Sequence, residues 1–167
     1  LIEDASHLWW DIRPSERFPT VEMRITDICT RVDDGVTVAA LYLSIMGMLY
    51  ERRTENQRWR KYANMLISEN VWQAQRYGVA GSLVDYGKGE PVPYAELVEE
   101  LIELVRPSAE RFGCVAELEG ARDIVARGTS ADHQLATYEQ ARAEGAGEHE
   151  ALQQVVDVLI RETRLGV

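Results

Sequence analysis

Histidine and cysteine are scarce in this 167-residue chain, at 3 and 2 residues. Cys29 and Cys114 lie far apart and form neither a CxxC pair nor a Cys/His cluster. That argues against a zinc centre or a redox dithiol and for buried thiols in a reducing cytoplasm rather than a disulfide. His133 and His149 are isolated, lack ligand spacing and suit surface or capping positions. An excess of positive charge is missing too: 18 Lys and Arg face 28 Asp and Glu, for a net charge of −10. A nucleic-acid partner, which needs a basic surface, is therefore not expected. No basic segment leads a hydrophobic one in the manner of a signal peptide. No GxxxxGK[ST] loop is present, and Gly87-Lys88-Gly89 is too short and wrongly placed to serve as one. The longest apolar run, from Val36 to Tyr50, has 15 residues. A membrane span needs about 20, so the run reads as a central buried helix and no membrane partner is expected.

What is present suits one globular domain, with 46% apolar and 28% charged residues. Charge is unevenly placed. Residues 1–80 hold 11 acids and 10 bases (net −1), whereas residues 81–167 hold 17 acids and 8 bases (net −9). The acidic second half reads as solvated helix faces, and the bases are the more concentrated in the first half.

The stretch LWWDIRPSERFPTVEMRITD, beginning at Leu8, alternates like a pair of strands. Leu8, Trp10 and Ile12 share one side, with Val21, Met23 and Ile25 as their counterparts in the second strand. Pro14 and Pro19 bracket the turn. Paired as an antiparallel hairpin, the two strands carry Asp11, Arg13, Glu22 and Arg24 on one surface. The pattern describes an ordinary half-solvated sheet with cross-strand ion pairs. It also permits an anion site, because arginine forks match carboxylate and phosphate oxygens, and a carboxylate between them could hold the hard cation that accompanies a polyphosphate.

Farther on, Thr54 and Gln57 have capping-box spacing and predict a long helix to Tyr77. Its stripe of Trp59, Tyr62 and Leu66 turns polar at Asn70, Gln73 and Arg76, which suits either a fraying end or a functional one. Gly78 to Pro93 reads as a loop and hairpin turning at Gly87 to Gly89. Helices follow from Tyr94. The first has Leu97, Val98, Leu101, Ile102, Leu104 and Val105 on its apolar face, and Pro107 and Gly113 bracket a short helix or turn. Another runs from Ala116 to Arg127 and stops at Gly128, Ser130 could cap the next, and Leu152, Val155, Val156 and Leu159 face inward on the last. The fold class is α+β: antiparallel strands over about residues 8–28, helices over 34–77, a hairpin over 81–93 and helices over 94–163.

The motifs WWDIRPS, FPTVEMRITDICTRVDD, ENVWQAQRYGVAGSLVD, PVPYAELVEELIELVRPSAERFG and RGTSADHQL occur in that order. Through them the chain resembles the C-terminal part of bacterial glutamate–cysteine ligase type 2, the carboxylate–amine ligases. More distantly, the Glu-x-Arg strand resembles one in glutamine synthetase. The resemblance implies that residues 1–167 form the C-terminal portion of a single catalytic domain, with strands of a glutamine synthetase-like sheet followed by helices. It implies ATP-dependent joining of the side-chain carboxylate of glutamate to cysteine or another amine through an acyl phosphate, in the cytoplasm. By residue it implies Glu22 as one ligand of Mg²⁺ or Mn²⁺, Arg24 on the transferring phosphate or substrate carboxylate, and Arg13 as a second anion-binding arginine. Asn70 and Arg76 would face substrate, and Asp11 would orient Arg13 on the substrate side.

An N-terminal half or companion chain would supply the remaining metal ligands and nucleotide pocket, so this chain alone is expected to be nearly inactive. A severed sheet edge would invite self-association. The alternative is a non-catalytic interaction or regulatory domain that keeps the fold.

Overall fold

Small side chains on one face of a long helix set the spacing of the bundle. In the computed structural model, which describes residues 3–165, helix α1 (Val32–Thr54) buries Thr37, Ala40, Ser44, Gly47 and Met48. These recur every three or four residues and so share a face. Against α1 pack α3 (Tyr94–Phe112) and α4 (Val115–Arg127). A Cβ on Gly47 would come within 2.6 Å of the Phe112 ring, and one on Gly120 would collide with the Thr37 hydroxyl. The core between the three helices is Met48, Ile102, Val105, Ala109, Leu118 and Ala121. Ion pairs tie both ends of α1 to its neighbours, Asp34 to Arg127 at 2.7 Å and Glu51 to Arg111 at 2.5 Å. Arg122 forks onto Glu99 between α3 and α4.

Helix α2 (Asn64–Tyr77) precedes a hairpin of β3 (Ser82–Asp85) and β4 (Glu90–Pro93). Helices α5 (Ser130–Ala143) and α6 (Glu148–Thr163) pack on one another around Ala141, Ala151 and Val155. They join the bundle through Thr30 to Ser130 at 2.7 Å, and through His133 held between the Glu162 carboxylate at 2.8 Å and the Arg127 carbonyl at 3.1 Å. His149 is exposed at the start of α6. The N-terminal hairpin pairs β1 (Ile12–Pro14) with β2 (Val21–Met23), and Arg13 stands opposite Glu22. The fold is mostly helical with two separate two-stranded antiparallel sheets, compatible with α+β; a larger sheet is absent among the described residues.

Several expectations are corrected. The first two strands are three residues each, and their apolar side is not buried: Trp10, Ile12, Val21 and Ile25 are exposed. The apolar run belongs to a 23-residue helix, so length no longer argues against a membrane span. By length and composition α1 could cross one; here its narrow face is packed on α3 and α4, and Val36, Leu43 and Tyr50 on other faces are exposed. Thr54 does not open a helix but closes α1, where its hydroxyl donates to the Glu51 carbonyl at 2.7 Å. The capping-box spacing arose because α1 outruns its apolar stretch by one turn.

Pro107 sits inside α3, which continues through it because Val105, Ser108 and Ala109 are locked in the core; the helix ends at left-handed Gly113. Thr129, not Ser130, caps α5, in a reciprocal box with Asp132. On α6, Ala151 and Val155 turn inward while Leu152 and Val156 stay exposed. The small Ala141 on α5 admits the alanine edge of α6.

Two consequences can be measured. Gly120→Ala gains about 1 kcal/mol of helix propensity, but the buried Thr37 hydroxyl and methyl leave its Cβ no room, and overpacking costs about 1–3 kcal/mol. A lowered urea midpoint is expected, and a raised one would contradict the close approach. Asp132 accepts from the Thr129 amide and hydroxyl, both at 2.7 Å, and these bonds hold its carboxyl below the ordinary carboxylate value. A group lowered in the folded state stabilises above its unfolded value and loses that stabilisation as pH falls through the folded one. The stability lost in Asp132→Ala, about 1 kcal/mol at neutral pH, should therefore shrink in urea titrations taken below the ordinary carboxylate value.

Candidate active site

Period-two alternation places Arg13 and Glu22 side by side on neighbouring strands, and the structure joins them. Arg13 Nε donates to Glu22 Oε2 at 2.8 Å, and Arg24 Nη1 lies 3.8 Å from the same oxygen. Arg13 also donates to the carbonyls of Ser6 at 2.6 Å and Leu8 at 3.4 Å. Three acceptors therefore fix its fork, and only 15% of its side chain is exposed. Arg24 sits over the Trp9 ring at 5.5 Å, with a third of its side chain in solvent. The cluster of two guanidinium groups and one carboxylate carries a net positive charge. Beside it lies a cleft of about 260 Å³ lined by Ser6, Arg13, Arg17 and Glu22 among others. An anion approaching Arg24 would meet a donor already oriented by its partners.

Asp11 does not orient Arg13 as expected. It acts through its main-chain carbonyl, which accepts from the amides of Arg24 at 2.7 Å and Ile25 at 3.2 Å, while Glu22, Ser6 and Leu8 hold the arginine. The carboxylate of Asp11 has no hydrogen bond or ion pair among the described residues.

Asn70 is committed elsewhere. Its Nδ2 donates to the Val84 carbonyl and its Oδ1 accepts from the Val84 amide, both at 2.9 Å. The side chain thus acts as an added strand residue along β3. Its carboxamide borders an apolar cavity of about 450 Å³ walled by Tyr62, Leu83, Tyr86 and Leu101 among others. Trp59 and Tyr62 precede α2 rather than forming its stripe; Tyr62 packs on Tyr86 with ring centroids 5.3 Å apart. Arg76 is exposed over the Tyr77 ring at 5.8 Å, and no carboxylate pairs with it among the described residues. The Asn70–Arg76 segment and the Glu22 cluster share no hydrogen bond, ion pair or cavity lining among the described residues.

A divalent cation finds few ligands here. Among the described residues no three His, Cys, Asp or Glu side chains converge. At Glu22 only Oε1 remains uncommitted, whereas Mg²⁺ takes about six oxygens. These residues do not by themselves fit a metal centre. Nor is the glycine turn at β3–β4 a phosphate cradle: the amides of Gly87 and Lys88 donate to the Asp85 carboxylate at 2.7 and 3.2 Å. Cys29 is free, and burial, followed by the neighbouring Asp34 and Asp27, pushes its thiol up and away from the reactive thiolate.

Residues 1–157 match the model of Glutamate-cysteine ligase family 2. The chain belongs to that family. It is 59% identical over 163 residues to a protein of Rhodospirillum rubrum provisionally named glutamate–cysteine ligase 2, covering 98% of this chain and 42% of the relative. Relatives of the same provisional name in Sorangium cellulosum and Jannaschia are 48% and 46% identical, over 99% and 97% of this chain and 42% and 43% of their own lengths. The chain spans about two fifths of the curated relatives it matches.

Sequence reasoning missed two features. The Asn70 clamp depends on a partner 14 residues away and leaves no local signature. The cations after α1 were hidden by the helix expected there, although five in the ten positions from Arg52 to Lys61 were in view.

Replacing Asn70 by alanine strips Val84 of both main-chain partners, a loss of about 1–3 kcal/mol at a half-buried site. Guanidinium denaturation of Asn70→Ala should show it, and an unchanged midpoint would remove the clamp from the account.

Proposed function

We propose that this chain is part of an ATP-dependent carboxylate–amine ligase that joins the side-chain carboxylate of glutamate to an amine, with cysteine as the leading acceptor. The observation that carries the reading is the pair of arginines organised around Glu22, in a chain of the glutamate–cysteine ligase family. In the reaction proposed, a carboxylate oxygen of glutamate attacks the terminal phosphorus of ATP and ADP departs. The amine then attacks the acyl carbon, phosphate leaves with the bonding electrons of the C–O bond, and the amine proton passes to a base.

Such chemistry needs neutralised phosphoryl oxygens and fixed positions more than it needs a nucleophile from the protein. Arg24, with solvent on one side, would meet the phosphoryl oxygens or the substrate carboxylate. Arg13, immobilised by three acceptors, would hold the field beside it and keep Glu22 in place. Arg76, unpaired among the described residues, would take a substrate carboxylate, and Asn70 would position β3. Glu22 Oε1 would supply one oxygen to a Mg²⁺ or Mn²⁺ ion whose other ligands come from a further part of a longer polypeptide or from a companion chain. The exposed apolar side of the hairpin supports such a partner, because Trp10, Ile12, Val21 and Ile25 remain in water without one.

The test is γ-glutamylcysteine synthesis by the full-length ligase that carries this segment. Glu22→Gln should lower turnover by about a hundredfold or more, the scale of losing an oriented charge at a reacting centre, and should alter the magnesium dependence. Unchanged turnover with unchanged magnesium dependence would remove Glu22 from the site.

A further inference from the structure

From the last turn of α1 to the approach to α2 the chain reverses its electrostatic character. Five cations, Arg52, Arg53, Arg58, Arg60 and Lys61, fall in ten positions with Glu55 as the sole acid, in a protein of net charge −10. None of the five forms an ion pair among the described residues. Arg52 is absorbed locally, by the sulfur of Met48, the Gln57 side-chain oxygen and the face of Trp59 at 5.0 Å. The others are exposed.

The turn that gathers them is specific. The amides of Asn56 and Gln57 return to the carbonyls of Arg53 and Arg52 at 3.1 and 2.8 Å, and Asn56 adopts a left-handed φ of 59°. That conformation, which asparagine tolerates, swings Arg58 to Lys61 back beside Arg53. They enclose an open cleft of about 710 Å³ lined by Leu49, Arg53, Asn56, Gln57, Arg58, Trp59, Arg60 and Lys61, without one carboxylate. Asp85 is the acid near Arg60; the guanidinium contributes to holding its carboxyl low, but the two do not close into an ion pair.

Like charges held together repel, and folding closes no ion pair on any of the five among the described residues. An anion with several oxygens would relieve that repulsion and match the arginine forks. We propose that this connection binds an oligophosphate, with Arg53, Arg58, Arg60 and Lys61 as cations and the side-chain carboxamide N–H groups of Asn56 and Gln57 as neutral donors. The site uses no residue of the Glu22 cluster. Its readout is binding without turnover, so it stands or fails independently of the ligase reading.

The oligophosphate could be inorganic or the phosphate tail of a nucleotide. Calorimetric titration of this chain with tripolyphosphate, with ATP free of divalent cation and with adenosine separates the two. Saturable one-site binding of tripolyphosphate is expected at about 0.05 M salt, weakened about tenfold or more at about 0.5 M, where exposed charges are screened. Adenosine should give no heat. ATP binding more tightly than tripolyphosphate would identify a nucleotide, and equal binding would identify phosphate alone. The double change Arg58→Gln with Lys61→Gln removes side chains that bond to nothing else among the described residues, so its melting temperature should match the parent while its affinity falls about tenfold or more. Arg161→Gln, a lone exposed cation on α6, should leave affinity unchanged. The proposal is overturned by absence of saturable binding at low salt, by equal affinity in the double variant, or by a short single-stranded oligonucleotide that binds far more tightly than tripolyphosphate.

Discussion

The close approach of α1 to α3 and α4 is the constraint on which the rest depends. Thr37, Ala40, Ser44 and Gly47 leave α1 almost without side-chain bulk on its buried face, and Gly120 does the same for α4. Interiors are packed densely enough that a single methyl group is felt, so this seam fixes how far apart the three helices sit. It therefore fixes where each end of α1 points. At its start, Asp34 is held by Arg127, and the preceding residues lead back to the Glu22 hairpin. At its end, Glu51 is held by Arg111, and the following residues open into the basic turn. The basic turn thus leaves the end of α1 directly, whereas residues 24–31 separate the hairpin from its start.

The two clusters differ in how their charge is managed. In the hairpin a carboxylate sits between arginines, and main-chain carbonyls complete the fork of Arg13. Such a cluster is nearly self-sufficient, and what it offers outward is the remaining edge of Arg24. After α1 no carboxylate intervenes, so the cations face one another across a cleft. Pairing orients a donor at the cost of neutralising it, whereas clustering without a partner leaves charge available and leaves the repulsion to be relieved by a ligand. The same residue type therefore supports positioning in one place and binding in the other.

How much of this could be read from the sequence follows from the range of the interaction involved. The Arg13–Glu22 pairing was legible because strand alternation and one turn suffice to bring the residues opposite each other. The β3–β4 hairpin and the stop at Gly128 were legible for the same local reason. The length of α1 was not, because its last turn, Glu51 to Thr54, is polar and looks like a boundary while hydrogen bonding and the Arg111 pair carry the helix on. Pro107 was misread as a break because the cost of a missing amide is local but the packing that outweighs it comes from α1 and α4. Asn70 read as a site residue through the resemblance, since the stripe that turns polar there suits two explanations, while its clamp on β3 lies 14 residues away and leaves no local mark. On α6 the expectation holds at Val155 and fails at its neighbours: hydrophobicity favoured Leu152 and Val156, but the space beside Ala141 admits the smaller Ala151.

These misreadings bear on function through the turn after Thr54. Read as a helix, residues 54–77 divide their cations between faces, since at about 100° per residue positions 58 and 61 are neighbours while 60 points away from both. Ended at Thr54 and reversed at Asn56, the same residues converge on one cleft. The composition was identical in both readings. What changed was the backbone: Thr54 is the last residue of α1 rather than the residue before a new helix, and Asn56 takes a left-handed φ that no continuing helix allows. One left-handed turn thus separates a solvated basic helix from a preorganised basic pocket, and charge counted along a sequence acquires chemical meaning only once the turns that gather it are known.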